Sequence, residues 1–422
     1  MKLQAVKGTH DILPEQMPRW RELRRAVGTV LERAGAAEIV TPIFEYSEVF
    51  TRSVGESADL VVQKEMYTFE DRGGRTITLR PEFTAGVLRA FIEHGMHTRP
   101  SPVKLWSMGP AFRAENVQRG RYRQFNQVNC EIVGLSSPLV DAEAVTLMYR
   151  SLEAAGVTGM VVKVGSVGDP EDRVRYNEYL RGQLEPRREE LSETSRERLR
   201  LNPMRILDAK DERDQLLTAE LRRPLELMGD EARRHFDEVL SLLAAWHIPF
   251  EIDPGIVRGL DYYRRTAFEI HHGAIGAQSA LGGGGRYDGL VGMFQGQDVP
   301  ATGGSLGIER ILLLLEQADD GVVVGPDVLV SILDEEGAAD ALALAQHFLY
   351  EWVDTDFYTG GGSRKLGRQL KYADRRGARV AVIRGADERA AGTVAVKDLV
   401  SGDQASVAMS ELVGHLVRML GR

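Results

Sequence analysis

Four consecutive glycines, Gly282 to Gly285, run into Arg286-Tyr287-Asp288, and no fold can treat such a stretch as ordinary chain. Without Cβ atoms, the backbone there can pass close to a ligand. No GK[ST] follows, so the run is not a P-loop. Upstream lies Arg258-Gly259-Leu260-Asp261-Tyr262-Tyr263, followed by Arg264 to Ile270, which is aromatic and β-branched enough to be a strand. An arginine, an aspartate and two tyrosines at a strand's start can present charge and polar rings to a ligand. A buried polar strand followed by a loose turn would read the same way.

A chain of 422 residues holds two or three domains. Its 43% hydrophobic and 27% charged content suit a soluble globular protein. The first residues carry no apolar signal region, and no apolar run approaches the ~20 residues of a membrane span, so a cytoplasmic protein is expected. The single cysteine, Cys130, excludes an internal disulfide, and no Cys/His cluster suggests a structural metal. The net charge of −9 argues against nucleic acid, but Arg113, Arg119, Arg121 and Arg123 crowd one segment and Arg364 to Arg379 another. Either could face phosphates or be a solvated face.

Periodicity organises the rest. Trp20 to Ala34 keeps helical spacing and ends at Gly35, suited to C′. Ile39 to Phe44 reads as a strand bent at Pro42. Met66–Phe69 and Thr76–Leu79 flank a turn and predict a hairpin. Arg80-Pro81-Glu82-Phe83-Thr84 forms a strand-to-helix corner, with Thr84 as the expected helix cap. Around the loop 116–120, strand alternation places Arg121, Phe125, Gln127 and Glu131 on one face, and across the hairpin Arg113 and Glu115 share a face too. That mixture makes a poor core and a good ligand surface; an outer, solvated sheet face is the alternative, in which Phe125 would be wasted in water. Cys130 would point away, as a buried strand cysteine. Val161–Val167 reads as a strand, and a mostly helical stretch to about Leu243 reads as an insertion. Gly303 to Gly307 is a glycine-rich strand entering a helix at Ile311, with Arg310 set against the helix dipole. Residues 319–325 read as a linker, beyond which strands and helices alternate as a small α/β domain with a mostly parallel sheet.

Arg258–Tyr263 and GGGRYDGL (283–290) resemble the two signature motifs of histidyl-tRNA synthetases, which are class II aminoacyl-tRNA synthetases. The resemblance covers nearly the whole chain. It implies a mixed α/β (α+β) fold: a catalytic domain built on an antiparallel sheet in two parts (1–168 and 249–320), a helical insertion (169–248) and a C-terminal α/β anticodon-binding-like domain (326–422). The helix–strand–proline order near residue 42 resembles motif 1, the family's dimer interface. Residues 112–131 resemble motif 2, and Gly303 to Ile311 motif 3. Phe83 stands where the family has glycine, Asn116-Val117 where many members have Arg-Pro, and Gly304-Ser305 where the family tends to phenylalanine and alanine.

What the resemblance implies is a histidine–tRNA ligase. ATP, as its Mg²⁺ complex, and histidine give histidyl-adenylate, and histidine then passes to tRNA(His). Arg113 would hold the α-phosphate and Arg121 the γ-phosphate. Arg310 and Phe125 would sandwich adenine beside Glu115. Arg258 would bridge the histidine carboxylate and the α-phosphate. Glu82, Thr84, Gln127, Glu131, Tyr262, Tyr263 and Tyr287 would bind histidine, with Glu131 and Tyr263 on the two ring nitrogens. Gln118 and Arg119 would read the tRNA end, and the insertion would grip the acceptor arm. A homodimer is expected. The alternative is a non-catalytic paralogue such as the regulatory subunit of ATP phosphoribosyltransferase, which typically lacks the C-terminal domain and keeps the signatures poorly.

Overall fold

The computed structural model describes residues 3–54, 65–209, 211–256, 262–278, 280–295, 299–316, 325–351, 353–358 and 364–421. Two compact units emerge, Met1–Ile12 with Arg19–Asp319, and Leu13–Pro18 with Asp320–Arg422. No helix among the described residues is long and apolar enough to cross a membrane.

The first unit is built on an eight-stranded sheet. In chain order its strands are β1 (Ala37–Glu38), β5 (Val103–Phe112), β6 (Gln124–Val133), β7 (Met160–Ser166), β8 (Phe250–Ile252), β9 (Arg264–His272), β10 (Ala280–Arg286) and β11 (Ala301–Gly307). The spatial order is β1-β5-β6-β11-β10-β9-β7-β8. Neighbours are antiparallel except at the edges, where β1·β5 and β7·β8 are parallel. A separate three-stranded sheet, β2 (Phe44–Tyr46), β4 (Thr76–Leu79) and β3 (Thr68–Glu70), flanks it.

Strand alternation splits the large sheet into a dry face and a site face. Trp106, Val128, Cys130, Ile132, Phe268, Ile270 and Leu306 point to the dry face. There they pack under α1 (Met17–Arg33), α3 (Pro138–Ala154), α5 (Asp230–Ala245) and α6 (Ile308–Glu316). Full burial of side chains such as Phe268 stabilises by about 2–3 kcal/mol each. A second cluster covers part of the other face, where α2 (Thr84–Glu93) brings Val87, Leu88 and Phe91 against Leu105, Val133, Tyr262 and Tyr287. α1 ends as expected, with Gly35 at φ +83°.

The expected strand 39–44 is instead two short strands, β1 and β2, joined by an irregular bend. Pro42 has no N–H for a ladder. The buried Arg80 holds the bend by donating to the carbonyls of Thr41 at 3.0 Å and Pro42 at 3.4 Å. The stretch expected as an insertion is helical, beginning with α4 (Pro170–Leu184) and having a small core of Leu184, Leu191, Leu199, Ile206 and Leu217. Its last helix, α5, instead sends Phe236, Val239 and Leu243 into the main core.

In the second unit β12 (Val328–Val330), β13 (Thr355–Phe357) and β14 (Val380–Ile383) are parallel. The sheet is less parallel than expected, because β15 (Thr393–Asp398) and β16 (Gln404–Ala408) add an antiparallel hairpin.

Candidate active site

The site face of β6 carries Phe125, Gln127, Asn129 and Glu131. Glu131 is almost wholly buried, and burial pushes its carboxyl up to about 8. Its Oε1 accepts from the Thr84 hydroxyl at 2.7 Å and from the Asn129 amide. Its Oε2 is buried with no partner among the described residues, as are the Tyr287 hydroxyl and Gln127 Oε1. Buried groups left unbonded cost about 1–3 kcal/mol each, so the two beside Gly303, with Gln127 farther along the same strand face, mark where a polar ligand belongs. Gly303 pairs with Glu131 across the ladder. A Cβ there would run into Glu131 Oε2, the Tyr287 hydroxyl and the Cys130 carbonyl, so glycine keeps the space open.

Tyrosines wall the same space. Tyr262 and Tyr263 lie with ring centroids 4.8 Å apart, and Tyr287 meets them edge-on at 5.7 and 6.0 Å. Burial holds the Tyr262 phenol well above its ordinary value, and Tyr263, Glu82 and Glu131 push the same way. Thr84 does not cap α2 as expected. It is the first helical residue, and the Glu82 carboxylate takes the helix N–H groups of Thr84 at 2.5 Å and Ala85 at 3.0 Å. The threonine hydroxyl is thereby freed to reach Glu131. Burial raises Glu82, against the backbone bonds and the nearby charge of Arg113.

Beyond Glu82 the charge turns positive. The strand ladder ends at Phe112 and Gln124, so Arg113, Glu115 and Arg121 lie in the hairpin loop and reach the site from there, not by strand alternation. Arg113 donates to the Pro81 carbonyl at 2.9 Å and sits over the Phe125 ring at 5.3 Å. Buried Glu115 pairs with Arg121 and lies 3.7 Å from Arg113. Arg310, in the first turn of α6, donates to the carbonyls of Ala280 at 2.6 Å and Gly120 at 3.4 Å. Burial pushes its guanidinium down, and repulsion by Arg121 and Arg113 adds to that, with Glu269 opposing. Three guanidiniums close enough to repel one another suit a polyanion. Arg113 also feels Glu82, so it stands where the carboxylate-lined pocket meets the cation cluster.

The histidyl-tRNA synthetase family profile matches residues 8–311, and an anticodon-binding domain profile matches 327–419. A histidine–tRNA ligase of Thermus thermophilus is 50% identical over 425 residues, covering all of both chains. The chain belongs to the histidyl-tRNA synthetase family. An apo S. aureus histidyl-tRNA synthetase shares the fold at a TM-score of 0.81 and 34% identity, covering 98% of this chain and all of that one. A Bacillus halodurans ATP phosphoribosyltransferase regulatory subunit/histidyl-tRNA synthetase gives 0.67 at 22% identity, covering 92% of this chain and all of that one, a likeness of fold alone.

For a histidyl-tRNA synthetase the phenylalanine at 83 has a local explanation. Phe83 needs no glycine backbone, at φ −102° and ψ −32°. Its ring is buried beneath Arg80, 4.0 Å from the guanidinium, with the room left by Gly109 beside it. Asn126, on the opposite strand face, anchors α6 through three donor contacts of 2.9–3.0 Å to Glu309. Gln118 bridges Arg121 in a tight turn, and Gln118 and Arg119 are both exposed. Cβ atoms at Gly282 and Gly284 would strike the β11 backbone, and their ladder partners Ile270 and Phe268 belong to the dry face, so those two glycines serve strand packing and not ligand approach. Arg258, with Gly259 to Asp261, lies outside the described residues, as does most of the expected linker. Sequence reasoning missed Asn129 and Gly303; alternation from Glu131 gives Asn129 the same face, and Gly303 emerges only from the β6·β11 register.

Proposed function

We propose that this chain is a histidine–tRNA ligase whose ring-recognition pocket and polyphosphate site join at Arg113. That junction carries the reading: Arg113 adjoins both Glu82 and the Arg121–Arg310 cluster, where a carboxylate must meet an α-phosphorus. In the first step a histidine carboxylate oxygen attacks the α-phosphorus of ATP, held as its Mg²⁺ complex, and pyrophosphate leaves. Two anions meet, so fixed guanidiniums are the required catalysts. Arg113 holds the α-phosphate and Arg121 the γ-phosphate, while Phe125 and Arg310 hold adenine beside Glu115. Arg258 bridges carboxylate and α-phosphate through its planar donor fork.

The substrate's ring lies between Glu131 Oε2 and the phenols of Tyr263 and Tyr287, so each nitrogen has a partner. An analogue without ring nitrogens leaves Glu131 unbonded, which supports discrimination by ~10⁴ or more without editing. Gln127 Oε1 and Glu82 take the α-ammonium. Thr84 donates to Glu131 and keeps lone pairs for the ammonium, so one hydroxyl ties both ends of the substrate together. In the second step the terminal ribose of tRNA(His) attacks the adenylate carbonyl and AMP leaves. Gln118 and Arg119 meet the tRNA end, the helical insert the acceptor arm, and the C-terminal unit the anticodon.

The protein acts in the cytoplasm as a homodimer. Supporting that, Phe44, Tyr46 and Phe69 form an exposed apolar face on the three-stranded sheet, beside exposed Val40. Sedimentation of Phe69→Glu tests the placement, and an unweakened dimer would refute it. The regulatory-subunit alternative is not favoured, since the full-length ligase match stands at 50% identity. Histidine-dependent ATP–pyrophosphate exchange by the purified chain tests the function; absence of exchange from folded protein would overturn it.

A further inference from the structure

Arg286 and Asp288 complete the glycine signature, yet neither belongs to the pocket or the cation cluster. The Arg286 side chain is wholly buried, and all five of its N–H groups are placed. Nε and Nη2 fork onto Asp141 at 3.1 and 2.6 Å. Nη1 donates to Asp288 at 2.8 Å and the Leu135 carbonyl at 3.2 Å, and Nη2 also to the Ser137 carbonyl at 3.2 Å. Asp141, on α3, is equally buried. Its Oδ2 accepts in addition from Thr266 on β9 at 2.6 Å and from His235 Nε2 on α5 at 2.8 Å. Burial alone would raise this carboxyl, but His235 and Arg286 hold it below its ordinary value.

His235 continues the chain outward. Its Nδ1 faces Arg265 Nη1 at 3.3 Å. A guanidinium can only donate, so Nδ1 accepts and the ring hydrogen sits on Nε2, aimed at Asp141. Arg265 forks onto Asp169 at 2.8 and 3.0 Å and reaches Glu231 at 2.7 Å. Its φ of +47° is a conformation that residues with side chains hold only when their surroundings enforce it.

The connections join what the sequence separates. Arg286 precedes Tyr287, and Arg265 lies two residues beyond Tyr263, so both signature segments hang on this chain. Its outer ends are Asp169, the N-cap residue of α4, and Glu231 and His235 of α5. Those are the first and last helices of the inserted stretch. We propose that His235 is a positioning residue through which the seating of the inserted helices sets the shape of the histidine pocket, by way of Asp141, Arg286 and Tyr287. This rests on the pocket being the one assigned above.

Two substitutions separate such a role from mere packing. His235→Gln can still donate to Asp141 through its amide N–H, but its acceptor oxygen branches from the same carbon as that donor and no longer stands where Nδ1 met Arg265, so the outer link is cut. Glu231→Gln changes an exposed outer partner and disturbs no core. In pyrophosphate exchange with the full chain, His235→Gln raises the histidine KM about tenfold, within the range typical of coupled sites, and leaves the ATP KM unchanged. Glu231→Gln has a smaller effect in the same direction and none in the His235→Gln background, because the link is already cut. By reciprocity, histidine slows amide hydrogen exchange in the first turn of α4 in the unaltered chain and not in His235→Gln. Equal rises in both KM values, purely additive effects, or a histidine response at α4 that survives in His235→Gln would each overturn the proposal. Should His235→Gln not fold, Glu231→Gln alone decides: an unchanged histidine KM refutes the relay. Failure of the unaltered chain to exchange pyrophosphate would refute the pocket assignment instead, and with it the premise.

Discussion

Replacing Glu131 by glutamine asks one atom to change sign. Both Thr84 and Asn129 donate to Oε1, so the new amide oxygen takes that place and the NH₂ group occupies the position of Oε2. A donor then faces the ring where a carboxylate oxygen accepted. The imidazole can answer only by presenting a lone pair there. A charge-assisted bond of about 1.5–3 kcal/mol becomes a neutral one of about 0.5–1.5 kcal/mol. The loss of about 1 kcal/mol predicts a histidine KM roughly 5–10-fold higher with the ATP KM unchanged. Stability should move the other way. Burial raises Glu131 from 4.5 to about 8, so between those values the folded chain holds a proton that the unfolded chain has released. The stabilisation is complete below 4.5 and lost as pH rises to about 8. At about 1.4 kcal/mol per unit, the difference amounts to several kcal/mol. Glu131→Gln has no such titration, so without histidine it should out-melt the native chain near pH 8 and lose that advantage toward pH 5. Exchange kinetics and calorimetry at both pH values read the two effects. Equal rises in both KM values, or melting curves that stay parallel across pH, would refute the reasoning.

Gly303→Ala places a methyl among Glu131 Oε2, the Tyr287 hydroxyl and the Cys130 carbonyl. With an overpacking cost of about 1–3 kcal/mol, histidine binding should fall roughly 10–100-fold while calorimetric ATP binding persists; equal loss of both would point to general damage. Arg258→Lys should form adenylate at least ~100-fold more slowly with a smaller change in histidine KM if, as proposed above, its fork acts as charge builds on the α-phosphate. Pre-steady-state adenylate formation checks this, and a normal rate with impaired transfer would move Arg258 to the second step. A chain ending at Gly325 should keep pyrophosphate exchange and lose most tRNA charging; a folded fragment without exchange would contradict that division.

The elements legible in sequence were those governed by local rules. Period-two alternation put Glu131 and Cys130 on opposite faces, and helical spacing with Gly35 fixed α1 and its end. Alternation failed for Arg121, because a tight turn at Gln118–Arg121 takes over before the strand begins. The strand expected at 39–44 dissolved because Arg80, distant in sequence, claims the carbonyls of Thr41 and Pro42. Thr84 was a sensible cap by residue type, but Glu82 has a longer reach to the same N–H groups and Glu131 has the stronger claim on the hydroxyl. The role of Gly303 was invisible for a different reason: it depends on which strand lies beside β6, and register is a property of the folded sheet. The chain linking Arg286 to Asp169 was hidden in the same way, since its members lie on α3, α5, β9 and β10.

The glycines of β10 and β11 also limit how such a pocket can evolve. Where the base of a binding site is made of side chains, a new substrate can be admitted by trimming or enlarging them one at a time. Here Gly285 is pressed against the Thr266 carbonyl and the Tyr263 ring, and Gly303 against β6 and the Tyr287 hydroxyl. Mutation has nothing to trim at these positions, and anything added collides. The base can be neither carved nor padded, so adaptation toward another amino acid is confined to the rim, at Thr84, Asn129 and Tyr287, and must work by changing bonds rather than volume.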